Sequence, residues 1–278
     1  MQLCDLYKNL DAHYQKELII ALSHFRHVPY STLRLENNIV LTVMEQRYLT
    51  ETLMRLTQKE PLTKILGCTE FYGFKFAVTS DVLDPRQDSE TLIDAVCSDY
   101  TDDKTNVSFL DLGTGSGCLI ITLLLLYPKA KGFAVDLSEK ALKVAQYNAT
   151  FHQVMNRLTF CHGHWFDALP ADKMPLQFDC IITNPPYIKS DYVLDDSVKL
   201  YDPYEALYAG IDGLDAYQAL IPLVGDYLKK GGRFYGEIGF DQKLTVQNMI
   251  HQQKNLTLLQ CLKDFNDNDR VIVAEYCL

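Results

Sequence analysis

The chain has no surplus of cations. Across 278 residues, 26 Lys and Arg stand against 36 Asp and Glu, a formal net charge of −10 with a pI near 5.1. Proteins that hold nucleic acid mainly through its phosphates depend on a positive excess, so general nucleic-acid binding is disfavoured, although a local basic patch on an acidic protein stays compatible. Long apolar runs are also missing. The most hydrophobic stretch, Leu119 to Leu126, is interrupted by Thr122 and falls far short of the roughly 20 residues that cross a bilayer. The N-terminus, MQLCDLYKNLDAHYQKEL, has acidic residues early and no apolar core, and so does not read as a secretory signal. The eight cysteines include no C-x-x-C pair. In a chain without an export signal they read as reduced core thiols rather than a disulfide framework. No internal repeat or low-complexity tract occurs. The expectation is a cytoplasmic protein with no membrane partner.

What is present is enough apolar material for a substantial core, 47% hydrophobic residues with 11% aromatics. The charge is unevenly spread. Residues 1–66 hold eight Lys/Arg and seven Asp/Glu, so the remainder carries a net −11, which suits two units with different tasks. Residues 1–66 read as a small helical bundle. Leu3, Leu6, Leu10, Tyr14 and Leu18 recur at three- and four-residue spacing, and Val40, Val43, Met44, Tyr48 and Leu53 form a second, less regular set. Pro29, Asn37-Asn38 and Pro61 supply the breaks. EFYGFKFAVTSDVL, from Glu70 to Leu83, is rich in aromatic and β-branched residues around Gly73 and predicts a hairpin within a connector over 67–85.

From about residue 86 to 278, strands and helices alternate. Strands are predicted at Val107–Leu112, Gly132–Leu137, Leu158–His162, Phe178–Thr183 and Arg233–Ile238. Helices are predicted at Ser89–Cys97, Gly117–Tyr127, Ser138–Phe151 and Leu214–Lys230. Such alternation implies β-α-β crossovers and a mostly parallel sheet covered on both faces. Leu256–Leu262 and Val271–Tyr276 are close enough in sequence to form an antiparallel hairpin at its edge.

Two segments carry chemistry. Asp111-Leu-Gly113-Thr114-Gly115-Ser116-Gly117 follows a hydrophobic strand and opens an apolar helix. The G-x-G-x-G spacing departs from the dinucleotide fingerprint G-x-G-x-x-G, which favours a bulky, unphosphorylated ligand over a pyrophosphate. Asp136 ends the next strand, where a carboxylate can accept from both hydroxyls of a ribose. A glycine turn whose Asp136 merely caps a helix is the structural alternative. The second segment, Asn184-Pro185-Pro186-Tyr187, follows strand Phe178–Thr183 directly and so points into the cleft at the carboxyl ends of the strands. The prolines stiffen it and force Asn184 out of the helical region. An amide or aminopurine NH2 is a poor nucleophile, because its lone pair is delocalised into the neighbouring π system. The Asn184 carboxamide oxygen and the Pro185 carbonyl could accept its two N–H bonds and hold the nitrogen in line with a methyl donor, with Tyr187 against the planar substrate. A rigid surface turn is the alternative here. Cys161, His162 and His164 lie on and just past a strand end without a plausible fourth ligand, so no metal is expected.

The glycine turn and Asp136 resemble the class I S-adenosylmethionine-dependent methyltransferases, a Rossmann-like α/β fold with a seven-stranded, mostly parallel sheet. That resemblance implies S-adenosyl-L-methionine as cofactor and S-adenosyl-L-homocysteine as product. It places the amino-acid end of the cofactor near Gly113, Thr114, Gly115, Ser116 and Gly117, and its ribose on Asp136. Asn-Pro-Pro-Tyr resembles the motif of amino-methyltransferases acting on adenine, cytosine or glutamine, and brings Asn184 to the cofactor as well. Further segments resemble the release factor glutamine N5-methyltransferases: Pro61 to Gly67 followed by Glu70-Phe71, LDPRQDSE from Leu83 to Glu90, Gly163-His-Trp165-Phe, Tyr204-Glu-Ala-Leu207, and Asn266-Asp-Asn-Asp-Arg270-Val.

This second resemblance covers essentially the whole chain. It implies a monomer acting on the Gly-Gly-Gln loop of a peptide-chain release factor, with the bundle as part of the docking surface, no direct nucleic-acid partner, and Trp165 flanking the adenine. Arg86 either holds the protein substrate or pairs with Asp88 or Glu90; Asn184, Pro185, Pro186 and Tyr187 meet the substrate glutamine. Asp84, Gln87 and His164 depart from the family pattern. The alternatives are a glutamine methyltransferase of a ribosomal protein, an adenine N6 methyltransferase of DNA or RNA, and a non-catalytic binding module.

Overall fold

The computed structural model describes residues 2–3, 8, 10–36, 38–101, 106–170 and 176–278. The chain divides into two compact units. One comprises Met1–Cys68 with Leu194–Tyr201, the other Thr69–Val193 with Asp202–Leu278.

The first unit is helical: α1 (Ala12–Arg26), α2 (Tyr30–Arg34), α3 (Val43–Thr57) and α4 (Leu62–Leu66). Leu18, Leu22, Leu33, Leu41, Leu49 and Leu56 fill its core. Leu10 and Asp11 lie outside helix, so the first apolar period runs across the start of α1 rather than along one helix, and Leu6 lies outside the described residues. The second set needs correction. Val40, Val43 and Met44 are 66%, 81% and 73% exposed, and α3 buries Glu45, Leu49, Thr52 and Leu56 instead. A capping box explains the choice of face. The Glu45 backbone N–H donates to Thr42 Oγ1 at 3.3 Å and the Thr42 N–H donates to Glu45 Oε2 at 2.7 Å, which satisfies two N–H groups that a helix start leaves open. Arg26 Nε donates to Glu45 Oε1 at 2.7 Å, so this carboxylate is buried with partners. The segment Leu194–Tyr201, with one helical turn at Asp196–Lys199, belongs to the same unit, and Tyr201 Oη donates to the Gln58 carbonyl at 3.0 Å.

The second unit begins with a hairpin, β1 (Cys68–Phe71) and β2 (Phe74–Ala77), turned by Tyr72 and Gly73 with positive φ of 52° and 76°. Glycine tolerates that conformation without a Cβ penalty. Asn148 pins the hairpin: its Oδ1 accepts from the Ala77 N–H, and its Nδ2 donates to the Ala77 and Ser116 carbonyls. Next come α5 (Glu90–Asp99), β3 (Ser108–Leu112), α6 (Cys118–Leu126), β4 (Lys131–Asp136), α7 (Glu139–Phe151), β5 (Leu158–His162) and β6 (Phe178–Thr183). After these follow α8 (Asp215–Tyr227), β7 (Leu228–Glu237), α9 (Lys243–His251), β8 (Leu256–Lys263) and β9 (Asp269–Tyr276).

The strands form a seven-stranded sheet in the order β5-β4-β3-β6-β7-β9-β8. The first five run parallel and β9 is antiparallel to both of its neighbours. One face packs Leu92, Val96, Ile120 and Leu124 against Phe109 and Ile182. The other packs Tyr217, Leu220 and Ile250 against Leu110, Ile181 and Phe234. Both faces being covered, the strands read as near-continuous apolar runs.

Two boundaries differ from expectation. The helix predicted to reach Lys230 ends at Tyr227, and β7 starts at Leu228. Lys229 to Gly232 form an excursion in which the register jumps from Phe178↔Leu228 to Cys180↔Arg233. Helix α9 was not read from the sequence, because its mixture of Lys, Thr, Gln and Asn leaves a thin apolar stripe on a short segment.

Candidate active site

Parallel strands present their carboxyl ends on one edge, and the register fixes what meets there. Leu112 pairs with Val135 and with Thr183, and Thr183 pairs with Gly236. The next residues along, Asp136, Asn184 and Glu237, therefore share that edge, with the glycine turn rising from Leu112. A cavity of about 680 Å³ opens here, lined by Gly113, Thr114, Gly115, Ser116, Asp136, Trp165, Asn184, Pro186, Arg86 and Ser89, among others.

In the glycine turn, the Gly113 and Thr114 N–H groups both donate to the Val135 carbonyl at 2.9 Å. Thr114 Oγ1 donates to Asp111 Oδ2 at 2.6 Å. Asp111 is fully buried, and burial pushes its carboxyl up to about 7 against the pull of the Thr114 hydrogen bond. Asp136 Oδ2 accepts from the Gly115 N–H and Oδ1 from the Ser138 N–H, each at 2.8 Å. Burial raises its carboxyl as well, partly offset by those two donors. Gly115 (φ +54°) has no atom within 4 Å of where a Cβ would stand, and that position at Gly113 lies 3.5 Å from the Trp165 ring.

Gly117 stands apart from the rest of the turn. It does not line the cavity. A Cβ there would meet Ile121 Cδ1 at 2.8 Å and Ala145 Cβ at 3.2 Å, so this glycine serves the approach of α6 to α7.

The Asn-Pro-Pro-Tyr segment alternates in a way its sequence does not show. Asn184 and Pro186 line the cavity, whereas Pro185 and Tyr187 do not. Pro185 is buried. Tyr187 Oη donates to Glu237 Oε1 at 3.1 Å and lies 3.4 Å from the Arg270 guanidinium. Burial and then the Glu237 charge push its phenol up. Asn184 Nδ2 donates to Ser89 Oγ at 3.0 Å, and Ser89 Oγ donates to Glu237 Oε2 at 2.5 Å. Arg86 pairs with neither Asp88 nor Glu90; it reaches Asp202 Oδ2 at 2.8 Å, an acid with 2% side-chain exposure. His162 Nε2 meets the Leu137 carbonyl at 2.9 Å, and no metal-holding cluster of His, Cys, Asp or Glu occurs among the described residues.

Residues 103–270 match the methyltransferase domain family. A release factor glutamine methyltransferase of Cereibacter sphaeroides is 39% identical over 218 residues, which are 78% of this chain and 74% of that one. Another, from Caulobacter vibrioides, is 35% identical over 228 residues, 81% and 77% of the two chains. The chain belongs to the release factor glutamine methyltransferase family. Among solved structures, a methyltransferase from Pyrococcus furiosus shares the fold at a TM-score of 0.53 and 15% identity, over 82% of this chain and 98% of that one.

Within this methyltransferase, sequence reasoning missed Ser89, Glu237 and Asp202. The usable signal was a carboxylate at the end of a buried strand, Glu237, beside the strand that delivers Asn184. Ser89 and Glu237 are 148 residues apart, so only the sheet order joins them.

Proposed function

We propose that this enzyme transfers a methyl group from S-adenosyl-L-methionine to the side-chain amide nitrogen, N5, of the glutamine in the Gly-Gly-Gln motif of a peptide-chain release factor. The observation that carries this reading is the Asn184 carboxamide on the cavity wall, its nitrogen bonded back to Ser89 and its oxygen left to accept. The names of its relatives point to the same substrate.

The cavity suits the cofactor in charge and shape. The raised carboxyl of Asp136, which lines the cavity, would ionise more readily beside a cationic ligand, and the space at Gly115 is open. When bound, S-adenosylmethionine supplies an electrophilic methyl on a sulfonium. Asp136 keeps lone pairs beyond those given to Gly115 and Ser138, enough to accept from two ribose hydroxyls. Trp165 would flank the adenine, and the glycine turn at Gly113, Thr114, Gly115 and Ser116 would hold the amino-acid end. Asn184 Oδ1 accepts one N–H of the substrate amide and the backbone carbonyl of Pro185 the other. Holding a reactant in line in this way is worth on the order of 7–11 kcal/mol in the best intramolecular systems. The amide proton becomes acidic only as the new bond forms, so attack requires no side-chain base. Pro186 borders the glutamine, and Arg86, held by Asp202, faces the incoming loop. In the helical unit, exposed Leu35, Val43 and Met44 supply apolar docking surface.

Incubating the purified protein with labelled S-adenosylmethionine and a release factor tests the assignment. The expected product is a Gly-Gly-Gln peptide heavier by one methyl group. Methylation confined to a ribosomal protein, or to nucleic acid with steep loss in salt, would overturn it.

A further inference from the structure

We infer that Glu237 and Ser89 are positioning residues that decide which end of the Asn184 carboxamide faces the substrate. The inference rests on the function proposed above and deepens it. A carboxamide is nearly the same size at its oxygen and nitrogen ends, so packing alone selects neither. Proton polarity does. Glu237 is 1% exposed and Ser89 2%, which leaves this chain of hydrogen bonds little access to solvent.

An ionised carboxylate accepts and never donates. With Tyr187 Oη on Oε1 and Ser89 Oγ on Oε2, both hydroxyl protons are directed at Glu237. The Ser89 oxygen then has only lone pairs left for Asn184, so it must receive an N–H. The Asn184 nitrogen turns inward, and the oxygen is the end left for the substrate. The reverse orientation would set two acceptors against each other in a buried site, an arrangement that costs the full desolvation of both. Arg270 reinforces this polarity. Held by Asp264 at 2.9 Å and 3.6 Å from Asp88, its guanidinium places positive charge beside Tyr187 and Glu237; burial raises the Glu237 carboxyl, and the Ser89 hydrogen bond and this charge work against that rise.

Glu237→Gln keeps the shape and supplies an NH2, which lets the Ser89 hydroxyl turn round and the Asn184 amide flip. In the full-length enzyme acting on a release factor, kcat should fall about 10-fold or more, with KM for the release factor and calorimetric affinity for S-adenosylmethionine within two-fold of wild type. In an Asn184→Ala background the same substitution should cost nothing further, because the group it orients is gone. Ser89→Ala should repeat the loss, and Ser89→Thr, which keeps the hydroxyl, should restore most of the activity.

Full activity in Glu237→Gln would overturn the inference. So would an equal fold-loss with and without Asn184, or a Ser89→Thr no better than Ser89→Ala. Should Glu237→Gln fail to bind cofactor or to fold, the Ser89 pair decides alone. A wild-type protein inactive on the release factor would overturn the functional reading, and this inference with it; an active wild type with an indifferent Glu237→Gln overturns this inference only.

Discussion

Both units bury carboxylates, and Glu45 in one contrasts with three acids near the carboxyl ends of the parallel strands in the other. In the helical unit, Glu45 receives Arg26, the Thr42 hydroxyl and the Thr42 N–H, and its carboxyl is held at about 2, with the Arg26 hydrogen bond the largest cause. In the catalytic unit, burial raises Asp111, Asp136 and Glu237 above their ordinary values. An acid that serves the fold is fully partnered, and its ionisation stabilises. These three acids near the strand ends, of which Asp136 lines the cavity, keep part of their desolvation cost, a common property of groups arranged for a ligand or a reaction. The contrast separates structure from function more clearly than conformation does, since both sets lie on regular, well-packed elements.

The sharpest test of that division uses a residue without charge. Asn184→Ala should lower turnover roughly 100-fold or more, as expected for a positioned polar group, while affinity for S-adenosylmethionine measured by calorimetry stays within two-fold. Near-normal methylation would remove the amide-holding mechanism. Asp136→Ala should do the converse. It should weaken cofactor binding roughly 10- to 100-fold, the worth of one or two charge-assisted hydrogen bonds, and leave kcat at saturating cofactor near wild type. A kcat effect as large as that of Asn184→Ala would erase the distinction between the two roles.

In the helical unit, Glu45→Ala should reduce unfolding free energy by about 2 kcal/mol through loss of the cap and the partly buried ion pair, read by urea denaturation. The last prediction is one of pH, and its sign differs between Glu45 and Asp111. Glu45 has a depressed folded value, so its contribution is complete above 4.5 and is lost as pH falls through about 2. Asp111 has a raised folded value. Its burial therefore costs stability progressively as pH rises from 3.8 to about 7. Asp111→Asn should accordingly gain stability relative to wild type between pH 5 and pH 8 in thermal melts without ligand. A constant difference across that range would mean that Asp111 is not held protonated.

Much of this was legible in the chain because the signals are local. Strands Leu158–His162 and Phe178–Thr183 fall where the apolar runs place them, and the glycine turn and Asp136 meet at one cavity because consecutive β-α-β units put strand ends side by side. What was not legible depends on protonation or on distance. The exposed Val43 and Met44 resemble a core stripe until Glu45 is seen to be buried by its partners. The partner of the Tyr187 hydroxyl is invisible until β7 brings Glu237 to it. Gly117 belongs to a ligand motif by spacing, yet its missing Cβ makes room for Ile121 and Ala145.

The membership of Leu194–Tyr201 in the helical unit has a practical meaning for anyone recombining these enzymes. The bundle is written in two places in the gene, and its second part begins only a few codons after Asn-Pro-Pro-Tyr. A chimera that exchanges residues 1–68 alone would join a foreign bundle to a resident segment that evolved against another, and Tyr201 would look for a carbonyl at position 58 just past a helix it does not know. Exchanging both stretches together keeps the partners matched, and leaves the Asn-Pro-Pro-Tyr tetrapeptide with the sheet that orients it.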